Sequence, residues 1–129
     1  MTLDEFLDDQ SRRRFIWGET DCVAFGLAWA REASGRPLAA FFDYGSRRDA
    51  ERALQARGGL EVIVRDWMTR NRFPAIDEPE DGDIGLAPTS VGIVAPVAVV
   101  IRRCGWWITR ELKGVGGMQF KDIPAWRVS

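Results

Sequence analysis

From Asp21 to Ala33 the chain reads Asp-Cys-Val-Ala-Phe-Gly-Leu-Ala-Trp-Ala-Arg-Glu-Ala. Val23, Ala24, Phe25, Leu27, Ala28, Trp29 and Ala30 leave almost no polar face, which describes a helix buried on nearly every side. A chain that contains such a helix must wrap its other elements around it. Thr20 or Asp21 can cap its first turn, and Ser34-Gly35 followed by Pro37 stops it. Cys22 then lies in the first turn, where the helix dipole and unpaired N–H groups favour a thiolate. Gly18, just upstream, lets the backbone turn sharply into the helix.

The remaining segments supply that wrapping. Thr2 and Glu5 form a capping box for a helix from Leu3 to about Gln10. An apolar loop, 37–45, precedes Ser46, which caps a helix from Arg47 to Ala56. Gly58-Gly59 ends it, and a further helix spans Leu60 to about Arg70 with Leu60, Ile63, Val64 and Trp67 on one face. Residues 74–79 connect to strands. These are expected at 84–87, at 91–101 (one strand bent at Pro96, or two), at 106–112, at 118–120 and at 125–128. Gly114 to Gly117 reads as a flexible hairpin turn. It lacks a Lys-Ser/Thr ending and opens no helix, so it is not a phosphate loop. Helices first and a small antiparallel sheet second make an α+β domain spanning 1–129.

Charge and cysteine content remove several functions. A net charge of −1 gives no electrostatic reason to bind nucleic acid or an anionic membrane. Ser11-Arg12-Arg13-Arg14 therefore reads as a solvated helix end, although an anion patch is the other use of such a run. No apolar run reaches membrane-spanning length, and Met1 to Phe6 lacks the pattern of a cleaved leader. Two cysteines, Cys22 and Cys104, make neither a disulfide framework nor a metal site. No metal and no cofactor are expected.

The segment Phe15-Ile16-Trp17-Gly18-Glu19-Thr20-Asp21-Cys22 resembles the nucleophile corner of the NlpC-type cell-wall cysteine peptidases, a compact papain-like branch. The matching residues are Trp17, Gly18, Asp21 and Cys22, and the form is similar to that of small proteins of phage and prophage tail modules. Asp81-Gly82-Asp83-Ile84 resembles the family's Gly-Asp strand opening. The resemblance implies a papain-like fold with the Cys22 helix packed on the C-terminal sheet. It also implies a histidine, which would fall on or near Pro96, and a polar residue orienting it near Trp107 or Thr109. This chain contains no histidine. In the resembled enzymes that imidazole carries the thiol proton, a contribution worth roughly 10²- to 10⁴-fold.

Each candidate has a plainer role beside the functional one. Cys22 is a nucleophile or its remnant, or a small buried apolar residue. Asp21 and Asp83, the carboxylates expected nearest the thiol, are a helix cap and a strand-entry hydrogen bonder. A carboxylate there would raise the thiol pKa. Trp17 could line a cleft, while Trp106, Trp107 and Trp126 are candidate partner contacts. If Trp106 and Trp107 share a strand they point to opposite faces. The reading implied is a structural component of a phage or phage-like tail tip, made in the bacterial host cytoplasm and docked on tail hub proteins. The alternative is an active hydrolase of peptidoglycan peptides with a base lent by a partner. Rapid alkylation of Cys22 at neutral pH would favour the second, and inertness the first.

Overall fold

The computed structural model describes residues 1–41, 45–88, 97–111 and 113–129. Among these, helices α1 (Leu3–Ser11), α2 (Cys22–Ser34), α3 (Arg47–Ala56) and α4 (Leu60–Arg70) come first. Strands β1 (Ala75–Ile76), β2 (Ile84–Pro88), β3 (Val97–Arg103), β4 (Trp106–Glu111), β5 (Gly114–Met118) and β6 (Ala125–Trp126) follow. They form an α+β fold with a six-stranded antiparallel sheet, ordered β1-β6-β2-β3-β4-β5.

The helix boundaries follow from their caps. Thr2 and Glu5 complete the capping box of α1 in both directions. Ser46 accepts from the Asp49 N–H at the start of α3, and α2 ends on Gly35 in the left-handed conformation. All four helices pack on one face of the sheet. Phe6, Phe25, Trp29, Leu54, Ile63 and Trp67 meet Ile84, Leu86, Val99, Ile101 and Trp126 there in the main core. The period-two alternation sends Ala87, Val100, Trp107 and Ala125 to the other face, where Ile76, Phe120 and Ile123 cover them.

The buried helix touches the sheet most closely at Gly26. A Cβ placed there would lie 2.3 Å from Val99 Cγ1, so only a residue without a side chain lets α2 rest on β3 at this depth.

Two sequence expectations are corrected. Gly114 to Gly117 is not a flexible turn but most of β5, paired residue for residue with β4 from Glu111↔Gly114 to Trp107↔Met118. The ladder uses backbone groups that glycine supplies as well as any residue. The bare backbones at Gly116 and Gly117 make room for the Glu111 carboxylate and the Trp106 ring. The strand expected at 118–120 accordingly keeps only Met118. The connector at 74–79 holds the short strand β1, which pairs with β6. Part of the 37–45 loop, residues 91–96 of the expected strand, and with them Pro96, lie outside the described residues.

Candidate functional site

The turn before α2 is built around two side chains. Asp21 is the N-cap: its Oδ1 accepts from the N–H groups of Val23 (3.0 Å) and Ala24 (2.9 Å), and its Oδ2 from that of Gly18 (2.6 Å). The Thr20 hydroxyl accepts from the Ile16 N–H (2.7 Å) and donates to the Arg14 carbonyl. Gly18 has φ 81°, the left-handed region its position in the turn requires. Trp17 is half-buried and stands edge-on to Phe15, with ring centroids 5.0 Å apart. The cap and turn chemistry expected of Gly18, Thr20 and Asp21 is therefore present, with both Asp21 oxygens engaged.

Cys22 follows at the first position of α2 and packs against the main core. The expectation that this place favours a thiolate is corrected. Burial, and next the Asp21 carboxylate, push the thiol up to about 11, against smaller lowering by backbone hydrogen bonds that include Val99 and Val23. The helix terminus offers partial positive charge, but removal from water penalises the anion more, and the residue that caps the helix is itself negative. At neutral pH Cys22 is a thiol.

The strand facing Cys22 offers it no proton acceptor among the described residues. On β3, Val97, Val99 and Ile101 point toward the helices. Thr109 does not join them. It shares the face of Trp107, opposite to that of Ile108, and its hydroxyl donates to the Val99 carbonyl (3.2 Å) across the ladder. The parity of β4 turns Thr109 away from the helix-facing side of the sheet, where Cys22 packs. Asp83 is also elsewhere in its bonding: its oxygens accept from Arg127 Nε (3.2 Å) and Nη2 (3.1 Å) and from the Glu80 N–H (2.6 Å). Of the two carboxylates expected near the thiol, only Asp21 acts on it.

The Trp17 to Trp29 and Asp81 to Leu86 segments are joined directly, because Trp29 Nε1 donates to the Gly82 carbonyl (2.7 Å). The three candidate contact tryptophans separate. Trp106 is 47% exposed, whereas Trp107 (2%) and Trp126 (6%) are core residues, lying under Arg102 and Arg65 respectively. Both are withdrawn as surface anchors: their strand registers turn them inward. No group of residues that could hold a metal ion occurs among the described residues, and no helix among them is long and apolar enough to cross a membrane.

One functional-looking residue escaped the sequence reading. Arg110, 4% exposed, donates from its two terminal nitrogens to the carbonyls of Gln10 and Arg13 at the end of α1. No carboxylate pairs with it among the described residues, and burial lowers its pKa. The available signal was its place two residues from Ile108 on the helix-facing side of β4, where a charged residue needs a reason.

The Cys22 shift gives a pH test. The folded state holds the thiol near 11 against an ordinary value of 9.0. Below pH 9 both states keep the proton and the contribution is fully present. Between pH 9 and 11 the unfolded chain ionises first and the contribution is lost. Urea denaturation of wild type and Cys22→Ala across that interval should show wild type losing stability faster. Parallel curves would mean the thiol ionises freely in the fold.

The family described as Domain of unknown function (DUF6950) matches residues 1–128 of the chain. No curated protein and no solved structure matches it.

Proposed function

We propose that this chain, which belongs to the DUF6950 family, is a non-catalytic domain of the papain-like NlpC type that serves as a structural part of a phage or phage-like tail tip. The observation that carries the non-catalytic half is the state of Cys22. Its thiol is held protonated by burial and by Asp21, and the strand beside it presents Val97 and Val99 where a base is needed. A thiol peptidase requires the thiolate and a group that shuttles its proton. Placement in a tail rests on the resemblance of Trp17-Gly18 and Asp21-Cys22 to the tail-module peptidases. Docking on hub proteins would use Trp106, the exposed member of the three candidate tryptophans.

Digestion of cross-linked peptidoglycan by wild type and Cys22→Ala, with fragment analysis, tests the first half. The expected result is no peptide cleavage by either protein. Cleavage by wild type that Cys22→Ala abolishes would overturn it and show that a base reaches the thiol. Mass spectrometry of purified particles, with cross-linking to hub proteins, tests the second half. Absence from particles whose hub proteins are detected would refute the tail assignment.

A further inference from the structure

The sheet has two edges, and the sequence treats them differently. At one, β1 is two residues long, preceded by Pro74 and followed by Asp77, Glu78 and Pro79. Brevity, charge and proline are among the means by which an edge strand is kept from pairing with other chains. At the other, β5 runs Gly-Val-Gly-Gly-Met, with no charge, no proline and no break in its register against β4. Nothing within that strand defends it.

The register also fixes which groups the β5 edge presents. Glu111↔Gly114 closes the β4–β5 ladder across residues 112 and 113, and such a closing pair exchanges both of its hydrogen bonds. The alternation of an antiparallel ladder gives the same role to Thr109↔Gly116 and Trp107↔Met118. Val115 and Gly117 are the residues left over, so their N–H and C=O groups point away from β4. Among the described residues no hydrogen bond from elsewhere in the chain reaches either of them, and Gly117 is exposed.

We propose that this edge pairs with its counterpart in a second copy of the chain, as an antiparallel β5–β5 ladder with Gly116 on the two-fold axis. That axis sets Val115 of each copy opposite Gly117 of the other, and each such pair can exchange both hydrogen bonds. Gly114, Gly116 and Gly117 bring no side chain to the seam. Lys113 falls opposite Gln119, not opposite its own copy, so no like charges meet across the ladder. Helix α1 adds a complementary charge pattern. It runs antiparallel to β5: Ser11 lies over Gly114, while Asp4 binds Arg103, the ladder partner of Trp106 near the Met118 end. The two-fold therefore sets the acidic first turn of one α1, Asp4 and Glu5, level with Arg12 to Arg14 at the end of the other. Such a contact is self-complementary and closes at two copies. It is independent of any place in a tail.

Sedimentation velocity on the purified chain, with amide hydrogen exchange on the same samples, provides the test. A monomer–dimer equilibrium is expected between about 1 μM and 1 mM. The amides of Val115 and Gly117 should exchange more slowly as concentration rises, and that of Ile76 at the opposite edge should not. Gly117→Pro removes an outward N–H without touching the β4 ladder, and should weaken the dimer by at least about 10-fold, since each copy loses a hydrogen bond to the other. Gly117→Ala adds a Cβ but keeps the N–H, and should dimerise as wild type does. A chain that stays monomeric throughout would overturn the proposal and leave the edge to a strand of another protein. A dimer whose Val115 and Gly117 amides ignore concentration would overturn it by putting the contact elsewhere, and so would a Gly117→Pro protein that dimerises undiminished. The first two results need wild type alone, so the test stands even if Gly117→Pro does not fold.

Discussion

Gly26→Ala should destabilise the fold by about 2 kcal/mol, a methyl group's worth of overpacking in a core that cannot yield, even though alanine is the better helix former by roughly 1 kcal/mol. The new Cβ would sit 2.3 Å from Val99 Cγ1. Val99 is β-branched and held in a central strand, so it has little rotamer freedom with which to retreat. Thermal unfolding should fall by roughly 5–10 °C for a chain of this size. Val99→Ala alone should cost about 1–3 kcal/mol as a large-to-small change. The pair Gly26→Ala with Val99→Ala should recover most of the first loss, since the Val99 Cβ would remain 3.4 Å from the new methyl. A cycle coupling above about 1 kcal/mol is expected. Strict additivity would show that α2 shifts away from β3 instead of straining against it.

The second large effect is expected at Asp83. Its buried carboxylate holds two Arg127 nitrogens and the Glu80 N–H, thereby fixing the residue after β6 to the residue before β2. Asp83→Ala strands these donors and should cost roughly 2–4 kcal/mol in urea denaturation. The lower end of that range reflects Arg127, whose side chain is 34% exposed and can rehydrate. Asp83→Asn keeps an acceptor for Glu80 and should cost about half as much, because the charge-assisted part alone is removed. If Asp83→Ala unfolds no more easily than Asp83→Asn, the Glu80 amide contributes nothing.

The helical half of the molecule was readable in the sequence because its signals are local. Thr2, Asp21 and Ser46 each cap within three residues of themselves, and such chemistry requires no knowledge of the rest of the chain. The sheet was readable where apolar residues alternate, as in β3, and unreadable in β5, where Gly114, Gly116 and Gly117 carry no side-chain pattern at all. The site divides in the same way. The Asp21 cap and the Gly18 turn are local and were legible. The protonation of Cys22 depends first on burial, which no residue near it encodes, and only second on the adjacent Asp21 carboxylate, whose effect was legible. Thr109 was matched by motif position alone to the residue that would orient a histidine, while the parity it shares with Trp107 assigns it to the face away from the helices. Arg110 was missed because its partners are carbonyls of α1, a whole domain away in sequence.

The order β1-β6-β2 has a consequence for how the molecule is made. Ala75 and Ile76 leave the ribosome early, but their ladder partners are Trp126 and Ala125. The gap beside β2 is filled by those same two residues, through Ile84↔Trp126 and Gly85↔Ala125. During vectorial synthesis the four helices, then β2 to β5, can assemble by short-range closure, while β1 waits with nothing to pair against. Completion of the sheet is therefore a late, long-loop event. The nascent protein should pass through a stage in which Ile84 and Leu86 lie next to an open seam, and β6, translated after the other five strands, closes it.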